Sequence, residues 1–190
     1  TYDGGGINNS KGTLTINGGT ITENTTSNDG GGIYNSGTAT MSGGTISGNT
    51  SKHGGGIKSS GTLTMNDGAI TGNTATYNGG GINNSRGTLT MTGGTITENT
   101  AESGGGIYNY DTLTINGGTI TENTATYNGG GIKSSGTLTM NGGTISNNEN
   151  CGIYIGQRGQ FNVQGSAKVF DNGVDKNDNV IFESENDYIT

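Results

Sequence analysis

The sequence predicts an all-β protein, a right-handed parallel β-helix of about 7 coils of about 25 residues each, with a ladder of asparagines inside it. Three observations lead there. A short motif returns at a near-constant interval along the chain. The aliphatic residues are too few for an ordinary globular core, yet they recur in step with that motif. One asparagine keeps a fixed offset from an isoleucine in every unit.

The interval is read from the Ile that follows each glycine run: Ile7, Ile33, Ile57, Ile82, Ile107 and Ile132, in steps of 26, 24, 25, 25 and 25, with Ile153 after a shorter step of 21. Enough units are present for a self-supporting stack, since a solenoid needs three or more. Hydrophobic residues make up 26% of the 190, with 41 glycines and no proline. That is well below the apolar share of a compact domain. A repeat stack needs only a thin apolar column, which reconciles low hydrophobicity with order.

Within a unit the elements run in a set order: GGGI, a short turn, TLT(I/M), GGTIT, then Asn. Alternation along a strand assigns the faces. Leu14 and Ile16 point inward, as do Leu63 and Met65, Leu89 and Met91, Leu113 and Ile115, and Leu138 and Met140. A third short strand adds Ile21, Ile46, Ile70, Ile96, Ile120 and Ile145. Three residues beyond each of these stands Asn24, Asn49, Asn73, Asn99, Asn123 and Asn148, and Asn172 follows Val169 at the same offset. Coils about 4.8 Å apart place these amides one above another, each able to donate to the next. One coil buries too few aliphatics to offset ordering its own backbone, so the coils must fold as a stack. A parallel crossover is right-handed in nearly all cases, which sets the expected hand.

A longer period lies over the first. INNSKGTLTINGGTIT at 7–22 returns as INNSRGTLTMTGGTIT at 82–97, and IKSSGTLTMN at 57–66 returns unchanged at 132–141. The residue after the anchor runs Asn8, Tyr34, Lys58, Asn83, Tyr108, Lys133, Tyr154, a three-coil cassette that is duplicated. Residues 1–150 read as regular coils and 151–190 as a degenerate terminal coil and cap. The first coil opens without a cap, which predicts end-to-end stacking through it. The net charge is −7, and 171–190 hold six carboxylates against Lys176. That balance does not attract nucleic acid. No apolar run is long enough for membrane insertion. The single cysteine, Cys151, excludes an internal disulfide framework and reads as a buried small residue.

At GGGI and ITENT the chain resembles the chlamydial polymorphic outer membrane proteins, whose repeats carry GGA(I/L) and FxxN. Here Gly replaces Ala and Ile replaces Phe. The longer register is also similar to repeats in large surface proteins of gut-dwelling anaerobic bacteria. The resemblance implies a pectin-lyase-like β-helix in an extracellular, non-catalytic stalk or adhesin segment, with a host or microbial surface glycan or protein as partner. It names no ligand.

Direct signals for chemistry are thin. β-Helical polysaccharide enzymes gather Asp with Arg or Lys on neighbouring coils, and the sequence shows only scattered charges, including Lys58 and Lys133. That leaves an enzyme fragment as the least favoured alternative. Glu98 and Glu122 fall on adjacent coils and read as solvated turn carboxylates. His53 reads as an exposed turn residue with no triad around it. DKNDN at 175–179 lacks the Gly and distal Glu of a calcium loop. No cofactor, metal site or catalytic residue is expected.

The outward residues are more informative. Thr13 and Thr15, Thr38 and Thr40, Thr62 and Thr64, Thr88 and Thr90, Thr112 and Thr114, and Thr137 and Thr139 form one TxT pair per coil. Stacking makes them a grid of about 4.8 Å by about 6.7 Å. Such a grid resembles the ice-binding faces of β-solenoid antifreeze proteins, and it also suits ordinary exposed strands. Tyr77 and Tyr127, with Tyr2, share a turn position where a ring can stack on a sugar.

Overall fold

The computed structural model describes residues 3–173 and 179–183, and among these every regular element is a strand. All strand pairings are parallel, and each coil pairs with the next. The chain is a β-solenoid of three sheets stacked along one axis.

The first sheet holds the anchor strands, from Ile7–Asn9 through Ile33–Asn35, Ile57–Ser59, Ile82–Asn84, Ile107–Asn109, Ile132–Ser134 and Ile153–Ile155 to Val180–Phe182. Eight anchors bound seven turns, in line with the sequence period. The last strand is paired in register with the seventh, Ile153 to Val180 and Ile155 to Phe182. Residues 174–178 and 184–190, with most of the acidic tail and the greater part of DKNDN, lie outside the described residues, as does Tyr2.

The second sheet carries TLT(I/M) and GGTIT. In the first three coils these form one strand, Thr13–Thr22, Thr38–Ser47 and Thr62–Thr71, with the register slipping at the glycines between them. From the fourth coil the two halves separate, as Thr88–Met91 and Thr95–Thr97. TLT(I/M) and GGTIT, expected as separate short strands, therefore lie on two facets of a single bent sheet. The third sheet is an addition to the sequence reading: Thr50–His53, Thr74–Asn78, Thr100–Ser103 and Thr124–Asn128 follow the ladder asparagines. Its register shifts before Asn78 and Asn128, where one strand holds an extra residue.

The column inside is lined by aliphatic side chains. Leu63, Met65, Ile70, Leu89, Met91, Ile96, Leu113, Ile120, Leu138 and Ile145 are all essentially inaccessible. The glycine runs close one corner. Gly54 holds a φ of 67°, a region L-residues enter at a penalty. A Cβ on Gly55 would stand 2.5 Å from the Gly80 carbonyl oxygen of the next coil, so only glycine lets the two backbones meet there.

The asparagine ladder is continuous. Nδ2 of Asn24, Asn49, Asn73, Asn99, Asn123 and Asn148 donates to Oδ1 of the next member at 2.9–3.0 Å. The backbone N–H of each rung donates to the same oxygen. Asn172 passes the bond to Asn179, a rung the sequence pattern did not contain.

A second, shorter ladder runs inside the first sheet, two residues after the anchor. Asn9 donates to Asn35 and Asn35 to Ser59, then Asn84 to Asn109 and Asn109 to Ser134. It restarts at the cassette boundary. Ser59 turns its hydroxyl to the Gly61 carbonyl. Oδ1 of Asn84 is left buried without a hydrogen bond.

Candidate functional site

The twelve TxT threonines occupy two outward rows of the second sheet, in register across six coils, with every step but Thr62 to Thr88 paired. Their partners across the glycine bend stack as well, with Ala69 standing in the row between Thr45 and Thr95. Below them a polar edge row is cross-bonded, Asn66 to Ser42, Thr92 to Asn66 and Asn141 to Asn116. Tyr77 and Tyr127 belong to the third sheet, at the extra residue of its longer strands, which projects both rings into solvent. The threonine grid and the two tyrosines do not form one site. Glu98 and Glu122 are exposed, each in a left-handed turn with φ of 56°.

A different constellation emerges on the first sheet. Its outward residues form a row along the axis, Tyr34, Lys58, Asn83, Tyr108, Lys133 and Tyr154, each paired with the next. Four residues before each anchor stand Asp29, His53 and Asn78, also in register from coil to coil. The two rows flank a cleft of about 360 Å³ lined by Asp29, His53, Lys58, Asn78, Asn83, Ser85, Arg86, Tyr108 and Tyr110. A second hollow of about 350 Å³ continues it past Tyr110 to Ser135, Gln157, Arg158 and Glu183.

This placement corrects two expectations. His53 is no exposed turn residue: it ends the strand Thr50–His53, is half-buried, and stacks at 5.3 Å on Tyr77. Its Nδ1 lies 3.3 Å from Nδ2 of Asn78. Burial holds its pKa below the ordinary value, against the opposing pull of Asp29. Lys58 and Lys133 are not scattered charges either. Nζ of Lys58 donates to Oδ1 of Asn83 at 2.9 Å and faces Asp29 at 4.0 Å. Burial lowers the Lys58 pKa, with Asp29 opposing and the nearby Arg86 adding to the fall. Lys133 sits over the Tyr154 ring at 4.8 Å. Tyr108 and Tyr110 face each other at 5.8 Å, and burial raises the Tyr108 pKa, so that its phenol stays protonated.

The signal for this cleft was present as the cassette row Asn, Tyr, Lys. What it lacked was the set of residues before the anchor, which lie on a sheet that the sequence pattern did not reveal. Among the described residues no three His, Cys, Asp or Glu side chains gather as a metal site would require. Cys151 is buried.

The geometry of the repeat has a counterpart among known families. Residues 14–36 match the Chlamydia polymorphic membrane protein repeat. The polymorphic membrane protein match holds one ITEN and one GGGI, so both motifs of the resemblance fall inside it. In the stack they have visible duties: Asn24 is a ladder rung, and Gly31 and Gly32 are the glycines against which the next coil's carbonyls rest. The Chlamydia repeat is thus similar to this chain at the positions that hold coils together. No curated protein and no solved structure matches the chain significantly.

Proposed function

We propose that the chain is a non-catalytic repeat segment of a bacterial cell-surface protein, a stalk that presents an adhesive face to an outside glycan or protein. One observation carries this reading. Apart from the outward threonines, the residues repeated from coil to coil serve the stack itself: the glycines, the anchor isoleucines, the inward Leu/Met/Ile and the asparagine rungs. The result is a rod in which seven coil rises of about 4.8 Å reach about 34 Å. Recognition is left to the outward rows, where Tyr77 and Tyr127 hold exposed rings suited to sugar faces. The match to a repeat of membrane proteins supports an outside location. The test has two arms. Protease shaving of intact cells making the full-length protein should release peptides from this segment, and peptides seen only after lysis would refute the surface role. A glycan array should report binding that Tyr127→Ala weakens, and an array without signal would remove the adhesive part.

The unbroken register of the TxT rows favours one second reading, an ice-binding face. Under it the purified chain produces thermal hysteresis that Thr90→Tyr abolishes. Freezing behaviour equal to that of an ordinary protein would sink it.

A further inference from the structure

The geometry points to the cleft on the first sheet as a binding site for a carboxylate-bearing saccharide, one that lies along the axis with a uronate near Lys58 and Arg86. This deepens the adhesive reading by naming a ligand class. It rests on that reading only for where the sugar comes from, since the cleft belongs to the isolated chain.

Three features select this ligand. The cleft brings together side chains that suit the parts of an acidic sugar: aromatic faces on Tyr108 and Tyr110 for ring C–H groups, the Asn78 amide for a hydroxyl, and cations for a carboxylate. Its charge departs from that of the chain. The protein carries −7, while the first hollow holds Lys58 and Arg86 against Asp29 alone, with His53 kept neutral by burial. Arg86 is exposed at the rim and makes no ion pair among the described residues, and it stands close enough to Lys58 for the two cations to repel. A carboxylate between them relieves that repulsion and meets the guanidinium in its preferred forked geometry.

The shape agrees with the chemistry. The cleft and the hollow beyond Tyr110 are neighbours on the surface, with Tyr110 lining both. Each coil advances by about 4.8 Å, close to the length of one sugar ring in an extended chain. The outer row repeats Tyr, Lys across coils, with Tyr34 and Lys58 answered by Tyr108 and Lys133 three coils on. Lys133 stands over Tyr154 and lines neither hollow, so a second cation for an oligomer comes from Arg158, which shares its hollow with Glu183.

The test is calorimetric titration of the intact chain with tetragalacturonate and with its methyl ester, which keeps the sugar and removes the charge. The acid should bind about tenfold more tightly than the ester, the ratio that one charge-assisted hydrogen bond supports. Arg86→Gln should erase most of that ratio, whereas Lys168→Gln, the same charge change on the second sheet, should leave it. Arg86 is a rim residue, so its replacement leaves the coil intact, and a circular dichroism spectrum verifies this. Equal affinity for acid and ester, no binding of either, or equal effects of the two substitutions would each overturn the proposal. Protease shaving reads location alone, so a failure there leaves this result standing and a failure here leaves the stalk standing.

Discussion

Asn99 illustrates what one residue does in the stack. Its Oδ1 accepts from both the backbone N–H and Nδ2 of Asn73, while its own Nδ2 reaches Asn123, Ile70 and Thr97. Asn99→Ala strands the buried backbone N–H of Asn73, while Nδ2 of Asn73 keeps the Ile46 and Thr71 carbonyls, so the urea midpoint should fall by the equivalent of about 1–3 kcal/mol. Asn24→Ala, at a half-exposed rung, should lose clearly less, and equal losses would contradict the burial argument. Ser59→Asn works in the opposite sense. Asparagine already fits this position in the coils on either side, and its amide would reach the orphaned Oδ1 of Asn84 as Asn9 reaches Asn35. A gain of about 1 kcal/mol is expected from the same melts. Glu122 stands in a left-handed turn that Gly48 and Gly72 fill elsewhere, so Glu122→Gly should stabilise by up to about 1 kcal/mol once glycine's added chain entropy is set against the relieved strain. His53 has a folded pKa below its ordinary 6.5 because burial disfavours the imidazolium. The unfolded chain therefore takes up the proton first, and stability should decline as pH falls below 6.5. His53→Asn, which copies Asn78 of the next coil, should flatten the melting temperature across that window.

At the scale of elements, two of the three sheets were legible because alternation and a repeated anchor mark them. Leu89 and Met91 two residues apart, with Ile82 behind a glycine run, leave little choice of face. The third sheet escaped because its inward residues are Ser51, Ala75, Ala101 and Ala125, too small to register as a hydrophobic pattern. The cleft was hidden for the same reason, since His53 and Asn78 in its wall stand on that sheet. The glycine corner was visible as a motif, but its duty becomes plain only through the neighbouring carbonyls. Gly55→Ala should destabilise by about 3 kcal/mol or more, because backbone on the next coil blocks the added methyl. Normal unfolding of that variant would mean the corner can open.

Over the whole molecule, each coil touches mainly the coils before and after it, so stability accumulates along one dimension. Excising 83–107 removes one full period and joins Ile82 to Tyr108 in register. That chain should keep its strand spectrum and unfold cooperatively at a lower urea midpoint. Excising 83–94 throws every later strand out of phase and should abolish cooperative unfolding. Survival of the second deletion would show that register matters less than the pairing pattern implies.

The asparagine ladder also has a direction. Every rung from Asn24 to Asn172 donates toward the higher-numbered neighbour, and none donates back. The side-chain dipoles therefore add head to tail, and each bond polarises the next. A column built this way has two unlike poles. Any joint between two such columns through their ladders must set a donor pole against an acceptor pole, because like poles leave both rows unmet. Head-to-tail joints do not close on themselves, so association by this route would lengthen a filament and not make a pair.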